Sequence, residues 1–485
     1  MSQPVRVCFF GTHPTQFNGY SRVVYELSRA VARRNARPGQ SNTRIALHVF
    51  GFQRFNKAPP GHRQDMPSEV DVYDAASHSA PGTEGFGFEQ VRAYVERIRP
   101  DVVVVLNDLI VVTNVLRGLE QASNRKQFRV IIYADQVYLC QRKELLENVN
   151  RAADAAIAFT PAWRACLEWQ GLKVPCGVLE HGFNPRTCFP IPRRLVRRFY
   201  GIAESDFLVL NLNRNQPRKR WDTCLQAFAE VVARRPTAPI RLVIATDTKG
   251  AWDLVELYQR ELKKRGVSVE AGMARLITPG HPQVMSDEDV TVLYNLADVG
   301  INTCDGEGWG LCNFEQAAIG IPQVVPRIGG FAHFFDDDIA TLIDPITTVY
   351  VDSGRDGVGG EAQLTLSDDY ADAILKYYDD PALRDRHGHA ARERILSRFS
   401  WDRIADDFAA VVAPAQSSAE DALPSSVPSD DDDVEAVDLG ALRSEASVVP
   451  PLEEPAAVQA NKTMADELCE LQARIVELQA KMAVT

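Results

Sequence analysis

A chain of 485 residues is too long for one compact core, so its length favours two domains plus further segments. Its apolar fraction of 45% and charged fraction of 24% are ordinary for a globular protein, and no run approaches the roughly 20 apolar residues of a membrane span. The nine cysteines are scattered and never form a CxxC pair, which argues against a disulfide framework or a zinc site. Because the first residues resemble a strand more than a signal peptide, we expect a cytoplasmic location.

The net charge of −12 is distributed unevenly along the chain. Residues 413–460 contain eleven acidic residues and one base, Arg443, so most of the excess negative charge lies there. Residues 1–412 are therefore close to neutral. A nucleic-acid-binding domain usually carries a basic face, so we expect no nucleic acid partner.

Residues 1–412 alternate short runs rich in β-branched residues with amphipathic helical stretches. Strands are predicted at 5–10, 46–50, 102–106, 130–133 and 155–159, and in a second series at 207–212, 240–245, 276–278, 299–302 and 323–325. The helices between them include 21–34, 89–98, 221–233, 252–264 and 287–296. Such alternation is typical of parallel sheets that helices cover on both faces.

The two series predict an α/β fold with two doubly wound, Rossmann-like domains that face each other across a cleft. The N-terminal domain is expected at 1–190 and the C-terminal domain at 200–398, with the Pro- and Arg-rich stretch 184–201 at their junction. A last helix at 400–412 is expected to return to the N-terminal domain. Sheets of this kind bind ligands at the carboxyl ends of their strands, so the cleft is the expected site.

The composition changes after residue 412. Ser, Pro, Ala and Asp dominate residues 413–460, which lack the apolar surface that folding requires, so a disordered acidic linker is expected. Residues 462–484 then carry apolar side chains at the a and d spacing of heptads, at Met464, Leu468, Leu471, Ile475, Leu478 and Met482. Two interpretations remain open for 464–482, weak self-association and a solitary amphipathic helix that docks on another surface.

Basic residues cluster in the sequence LNRNQPRKRWD, between a predicted strand and a predicted helix. A turn at this place can direct the fork of Arg214 and the ammonium of Lys219 to one diphosphate. The alternative is a solvated basic turn in which Arg218 and Arg220 are simply exposed. Taken alone, this turn fits the alternative better.

Two glutamates, Glu307 and Glu315, lie in the glycine-rich sequence GEGWGLCNFEQAAIG at 306–320. Glycines allow the backbone to approach a ligand, and the amino end of the helix predicted from Leu311 favours an anion. Because carboxylates repel phosphates, we interpret the glutamates as acceptors for hydroxyl groups, one for a sugar and one for a ribose. The alternative is an ordinary glycine-rich turn followed by a surface helix.

The sequence EGWGLCNFE resembles the E-x7-E signature of retaining glycosyltransferases of family four, which have the GT-B fold. Further segments match that family in its order, namely FNGYSRVVYELSRAV at 17–31, AADAAIAFTPAWRACLEWQG at 152–171, VLEHGFNP at 178–185, NRNQPRKRWD at 213–222, MSDEDVTVLYNLADVGINT at 285–303 and IGIPQVVPRIGG at 319–330. The resemblance covers about residues 5–412. Each motif alone is unspecific, whereas the ordered set is a specific signal.

The resemblance implies roles for individual residues. Arg214 and Lys219 would bind the pyrophosphate of a nucleotide-sugar donor. Glu307 would contact the donor sugar and help at the reacting centre, and Glu315 would bind the nucleotide ribose. Backbone contacts near the sugar and phosphates would come from Gly19, Gly310 and Leu311. The implied reaction moves a sugar from a UDP- or GDP-sugar to a hydroxyl of a glycan or glycoconjugate with retained anomeric configuration, without a metal or other cofactor.

The chain departs from the family in its N-terminal part. Many members have a glycine pair in the first loop, where this chain has Asn18 and Gly19. Members often carry a sugar-contacting histidine after an N-terminal strand, and here the sequence IIYADQVY places Asp135 there. Either Asp135 serves as a catalytic-site residue in its place or the role is lost. His181 is expected to be structural at the domain junction, and His13 to be a solvated loop residue.

Three charged stretches favour structural explanations. The acidic residues at 336–338 and in EVDVYD at 69–74 are expected to form surface loops rather than a metal site. The arginines of RRLVRR at 193–198 are expected on an exposed linker helix, and peripheral contact with an anionic membrane is the alternative. No motif identifies the acceptor, whose contacts are expected in N-terminal loops such as 51–88.

Two other functions compete with sugar transfer. One is a GT-B relative with different chemistry, such as a sugar-nucleotide epimerase or a phosphorylase, against which the E-x7-E sequence and the Arg/Lys loop count. The other is a catalytically inactive GT-B scaffold that recruits partners through the acidic linker and the heptad helix.

Overall fold

A computed structural model describes residues 3–37, 43–54, 62–79, 84–278, 285–356 and 358–413. The elements described below belong to one unit by their internal contacts, Met1–Pro414. Apart from residue 413, the predicted acidic linker at 413–460 and heptad helix at 462–484 lie outside the described residues.

The first sheet has seven parallel strands. They are β1 (Val5–Thr12), β2 (Ile45–Phe52), β3 (Asp71–Asp74), β4 (Val102–Asp108), β5 (Arg129–Asp135), β6 (Ala155–Ala158) and β7 (Cys176–Val178), in the order β3-β2-β1-β4-β5-β6-β7. The helices among them are α1 (Gly19–Ala36), α2 (Val91–Ile98), α3 (Leu109–Glu120), α4 (Lys143–Ala152) and α5 (Pro161–Trp169). The central strand β4 is almost entirely buried, as a strand covered on both faces must be.

The second sheet has six parallel strands. They are β8 (Phe207–Asn211), β9 (Ile240–Ile244), β10 (Leu276–Ile277), β11 (Val299–Ile301), β12 (Gln323–Pro326) and β13 (Thr341–Ile343), in the order β10-β9-β8-β11-β12-β13. The helices from the junction onward are α6 (Arg193–Phe199), α7 (Trp221–Arg234), α8 (Leu254–Lys264), α9 (Val269–Met273), α10 (Asp287–Tyr294), α11 (Leu311–Ala318) and α12 (Phe331–Phe334). An antiparallel hairpin of β14 (Thr347–Val351) and β15 (Gly360–Leu364) encloses α13 (Ser353–Asp356). The chain continues through α14 (Ser367–Asp379), α15 (Pro381–Arg398) and α16 (Trp401–Val412).

The predicted pair of doubly wound, Rossmann-like domains is confirmed. Every predicted strand and helix up to residue 412 is present, with ends within two residues of those expected. Asp402 and Asp406 of the last helix, α16, pair with Arg33 and Arg34 of α1 at 2.8 and 3.0 Å. Among the described residues, no helix has the length and apolar character needed to cross a bilayer.

Two predictions about charged stretches are wrong. The segment 69–74 is not a loop, because Asp71–Asp74 forms the edge strand β3, paired in parallel with β2. The alternation of acidic and apolar residues in EVDVYD is the pattern of a strand with one exposed face. The arginines of α6 are not all exposed either, since Arg197 is 2% exposed and bonds with Asp298, which also pairs with Arg193.

The acidic residues at 336–338 lie at the surface and pair with neighbouring arginines. Asp336 lies 2.5 Å from Arg394, and Asp337 lies 2.9 Å from Arg327. Within the described part of the chain, no group of three or more His, Cys, Asp or Glu residues is arranged to hold a metal ion.

Candidate active site

Three loops that follow strand ends form the candidate site. In each sheet the strand order reverses beside the first strand, so β1 lies between β2 and β4, and β8 lies between β9 and β11. Ligands of doubly wound sheets bind at such reversals, where adjacent loops diverge. Here β1 leads into residues 13–18, β8 into 212–220 and β11 into 302–310. These are the loops that contain or adjoin the predicted site residues.

Glu307 lies in the turn after β11 and is 7% exposed. The ammonium of Lys219 donates to its Oε2, and Nη1 of Arg218 lies 3.5 Å from its Oε1. Burial tends to raise the pKa of Glu307, but the charges of Lys219 and Arg218 outweigh burial and hold the pKa below its ordinary value. Glu307 is therefore an ionised carboxylate between two cations.

The two predicted diphosphate ligands lie on one loop in different environments. Lys219 is buried beside Glu307, and its carbonyl accepts a hydrogen bond from Thr303 Oγ1 at 3.2 Å. Arg214 is exposed, and within the described residues its guanidinium forms no hydrogen bond or ion pair. Partial desolvation and the charge of Arg218 lower the pKa of Arg214. The guanidinium of Arg214 therefore carries a positive charge that is unpaired among the residues described and that a bound anion would neutralise.

The idea that Arg218 and Arg220 are simply exposed is wrong. The side chain of Arg218 is 21% exposed, and its Nη1 donates to the carbonyl of Gly306 at 3.0 Å. Arg220 pairs with Asp222 at 2.7 Å, and its Nη1 lies 3.6 Å from Asp305. The short 3-10 turn Pro217–Lys219 sets the directions in which the side chains of Arg218 and Arg220 point. Composition alone does not predict this turn.

Glu315 lies on α11 and is 9% exposed. Tyr294 donates its hydroxyl to Oε2 at 3.1 Å, and Nη1 of Arg22 lies 3.2 Å from Oε1. Burial raises the pKa of Glu315, and the charge of Asp287 adds to this effect, whereas Arg22 opposes it. The predicted ribose ligand is therefore in contact with a residue of the first domain.

Asp135 lies at the end of β5 and is 8% exposed. The hydroxyl of Tyr20 donates to its Oδ2, while its Oδ1 is buried without a hydrogen-bond partner among the described residues. Oδ1 lies so close to Gly308 that a Cβ at that position would clash with it. Burial raises the pKa of Asp135 to about 6, and the charge of Glu307 contributes. Asp135 thus lies against the same turn that holds Glu307.

The three predicted backbone contacts lie at two helix starts. Gly19 begins α1, and a Cβ there would lie 3.2 Å from Cδ1 of Leu311. Gly310 caps α11 with a φ of 90°, and the ring of Phe331 fills the place where its Cβ would be. The first loop therefore meets the amino end of α11, where unpaired amides favour an anion.

Neither histidine is a solvated residue. His13 is 6% exposed, contrary to expectation, and burial lowers its pKa to about 4. His181 is 2% exposed, accepts or donates a 3.0 Å hydrogen bond with Tyr133, and packs against Trp309. Burial lowers the pKa of His181 to about 3, which agrees with the structural position expected for it.

Sequence reasoning predicted Gly19 and Asp135 in the first domain but missed two side chains, Tyr20 and Arg22, that reach the site from it. Tyr20 contacts Asp135 across 115 positions of sequence, and Arg22 contacts Asp287 across 265. Arg218 was named only as an exposed alternative. The position of Arg218 between Pro217 and Lys219 is the local feature of the sequence that could have indicated its role in the site.

A family model described as Family 4 Glycosyltransferase in conflict systems matches residues 141–408, which is more than half of the chain. The chain belongs to this family. The matched range of this family 4 glycosyltransferase includes the loop of Arg214 and Lys219 and both glutamates, Glu307 and Glu315. Asp135 precedes the matched range.

Curated relatives are similar to part of this glycosyltransferase. The D-inositol 3-phosphate glycosyltransferase of Geodermatophilus obscurus is 29% identical over 245 residues, which cover 50% of this chain and 47% of the relative. The corresponding protein of an Arthrobacter species is 30% identical over 229 residues, which cover 47% and 45%. The chain thus spans about half the length of the curated relatives it matches.

Solved glycosyltransferase structures share the fold over most of the chain. Sucrose-phosphate synthase from Thermosynechococcus elongatus has a TM-score of 0.62 at 16% identity, covering 84% of this chain and 98% of that one. Anabaena HepE in complex with UDP-glucose has a TM-score of 0.59 at 16% identity, covering 84% and 99%. At these identities the likeness establishes the fold alone, which is the GT-B fold with two Rossmann-like domains.

Proposed function

We propose that this family 4 glycosyltransferase is a retaining enzyme that moves a sugar from a UDP- or GDP-sugar to a hydroxyl group of a glycan or glycoconjugate. The observation that carries the proposal is Glu307, buried and ionised between Lys219 and Arg218. An ionised carboxylate that is protected from water and placed beside cations suits hydroxyl binding next to a phosphate site.

The donor diphosphate would bind on the loop after β8. Arg214 offers a planar fork with no partner among the described residues. Lys219 has three donor positions, so it can keep its bond to Glu307 and still donate to a phosphate oxygen. The amides at Gly310 and Leu311 would add donors at the amino end of α11.

The reaction would break the bond between the anomeric carbon and the diphosphate oxygen, form a bond from that carbon to the acceptor oxygen, and pass the proton of the acceptor hydroxyl to the departing diphosphate. Negative charge grows on the diphosphate as it leaves. Arg214, Lys219 and the helix amides would stabilise this charge, and Lys219 is already oriented for it by its bond to Glu307. No metal enters this scheme, since protein cations take that part.

The sugar would lie between the two domains. Glu307 would accept hydrogen bonds from its hydroxyls on one side, and Asp135 on the other, through the buried Oδ1 that has no partner among the described residues. Glu315 would accept from the ribose. We assign the donor to a C-terminal domain at 200–398 and the acceptor to an N-terminal domain at 1–190, completed by α16.

The relatives support the class of reaction. HepE, which shares the fold, is described in complex with UDP and glucose and with UDP-glucose. The D-inositol 3-phosphate glycosyltransferases share part of the sequence, and their name indicates a hydroxylated phosphate-bearing acceptor for those enzymes.

A test is to replace Glu307 by Ala and to follow nucleotide release from a panel of UDP- and GDP-sugars. The Glu307→Ala variant loses a buried contact with the donor sugar in both the bound complex and the transition state. Its kcat/KM is therefore expected to fall at least about a hundredfold. A matched control is Glu147→Ala, because Glu147 is 58% exposed on α4 and lies in the first domain away from these loops. Transfer by the Glu307 variant at the parental rate would contradict the assignment.

A further inference from the structure

Arg22 connects the first domain with the residue proposed to bind the ribose. It lies in the first turn of α1, and its side chain is 11% exposed. Its Nη1 lies 3.2 Å from Oε1 of Glu315, and its Nη2 lies 2.8 Å from Oδ1 of Asp287. One guanidinium therefore holds two carboxylates of the second domain, and all three groups are buried.

Arg63 completes the charge balance of this cluster. Its Nε and Nη2 donate to the two oxygens of Asp287 at 2.9 and 2.8 Å, and it makes no ion pair with Glu315. Two arginines thus face two carboxylates. Burial tends to raise the pKa of Asp287, but Arg22 and Arg63 outweigh it and keep the pKa well below its usual range. Among the described residues, Arg22 is the ion-pair partner of Glu315.

The contacts of Glu315 fix its orientation and leave some of its acceptor positions unused. Tyr294 occupies one acceptor position of Oε2, and Arg22 occupies one of Oε1. A carboxylate has about four acceptor positions, so two remain for a diol. Burial already raises the pKa of Glu315 with Arg22 present. Without this cation the pKa of Glu315 would rise further, toward the protonated form, which accepts fewer hydrogen bonds.

We propose that Arg22 is a positioning residue for donor binding, which from the first domain keeps Glu315 oriented as the acceptor for the ribose hydroxyls. The proposal rests on the function proposed above. In this arrangement, the contribution of the ribose hydroxyls to donor affinity depends on the contact of Arg22 with Glu315 between the domains. Arg22 itself need not touch the donor.

The test compares UDP with dideoxy-UDP, which lacks both ribose hydroxyls, on the full chain by calorimetry, with GDP and dideoxy-GDP in parallel. The ratio of the two affinities measures the ribose contribution. Loss of charge-assisted hydrogen bonds is expected to lower UDP affinity about ten- to a hundredfold in both Arg22→Met and Glu315→Gln, with little change for dideoxy-UDP. The double variant is expected to bind UDP like Glu315→Gln alone, because Arg22 acts through Glu315.

Arg63→Met is the matched control. It removes a cation from the same Asp287 across the same interface but leaves Glu315 with Arg22, so the ratio between UDP and dideoxy-UDP should be retained. If Arg22→Met proves unstable by its thermal midpoint, Arg22→Lys keeps a charge but cannot bridge both carboxylates, and an intermediate ratio is expected.

The possible failures are distinguishable. If the parent chain binds neither nucleotide, the proposed function fails and the role of Arg22 falls with it. If Glu315→Gln binds like the parent, the assignment of Glu315 to the ribose is wrong, and the role of Arg22 is refuted while sugar transfer remains open to the Glu307 test. If Glu315→Gln loses the ribose contribution while Arg22→Met and Arg22→Lys retain it, the proposed function stands and the role of Arg22 is refuted. Additive losses in the double variant would also refute it.

Discussion

Asp135 lies at the end of β5, where the resemblance in sequence led us to expect a histidine. An aspartate would ordinarily be ionised at any neutral or mildly acidic pH. Here burial raises its pKa to about 6, whereas the hydrogen bond from Tyr20 and the charge of Arg218 oppose the increase. Asp135 is thus protonated below about pH 6 and ionised above it. Only the ionised form offers both oxygens as acceptors for sugar hydroxyls.

The expected pH dependence follows from this sign. As pH falls through about 6, kcat/KM for the donor should decrease, because Asp135 gains a proton and loses acceptor capacity. Asp135→Asn should remove this decrease of kcat/KM at acidic pH and should also lower the kcat/KM reached at higher pH. Tyr20→Phe should move the decrease to higher pH, because the Tyr20 hydrogen bond favours the ionised form. The measurement is donor turnover against pH for the three proteins, and an unchanged decrease at acidic pH in Asp135→Asn would assign it to another group.

Local motifs located the candidate site residues of the second domain. Arg214, Lys219, Glu307 and Glu315 follow strand ends, and strand ends can be located from β-branched runs in the sequence. Arg22 was not predicted, because its contacts depend on how two sheets distant in sequence come together. Tyr20 was not predicted either, because its contact with Asp135 joins α1 to a strand end 115 positions away in the sequence. Spacing along the chain contains no direct signal for such contacts.

At the scale of elements, the hairpin β14–β15 adds further contacts between the two domains. Backbone hydrogen bonds connect Glu361 to Leu139 of the first domain at 2.7 and 3.3 Å. Another connects Gln363 to Asp305, beside the turn of Glu307, at 2.9 Å. Its buried side chains form a small cluster with the first domain, comprising Val137, Tyr138, Val351, Val358 and Ala362.

Ala362 allows this hairpin contact to be tested. Ala362 is fully buried in the cluster, so Ala362→Asp would place an unpaired charge there and should lower the free energy of unfolding by about 2 to 4 kcal/mol. Thr348→Asp is the control on the neighbouring strand, where the side chain is exposed, and should change stability by less than about 0.5 kcal/mol. Urea unfolding measures both. Equal stability of the two variants would show that the cluster does not hold the hairpin.

The hairpin β14–β15 and the strand β3 are elements that the sequence did not predict. Ten of the thirteen parallel strands that the structure describes were predicted, since their alternation with helices has a regular period, whereas β3, β7 and β13 were not. The run ITTVYV is rich in β-branched residues but is not followed by a helix in that rhythm, and the hairpin was not predicted. The acidic composition of EVDVYD indicated a surface loop, whereas its alternation of acidic and apolar residues is that of an edge strand.

At the scale of the whole molecule, α16 connects the end of the described chain to its beginning. Phe408 packs edge-on against Phe9 of β1 with ring centroids 6.0 Å apart. The apolar face of α16 is buried, comprising Trp401, Ile404, Ala405, Phe408, Ala409 and Val412. Burial of each large side chain contributes about 1.5 to 3 kcal/mol, which together is comparable with the whole stability of a typical domain.

This packing predicts opposite outcomes for two truncations. A chain that ends at residue 413 keeps every element described above, so its thermal midpoint and its donor turnover should equal those of the full chain. A chain that ends at residue 399 loses α16, exposes the core around Phe9, and should be unfolded or insoluble. Circular dichroism and nucleotide release measure both properties. Donor turnover by the first truncation would exclude a scaffold whose function resides only in residues 414–485, whereas a folded but inactive truncation would place part of the activity in those residues.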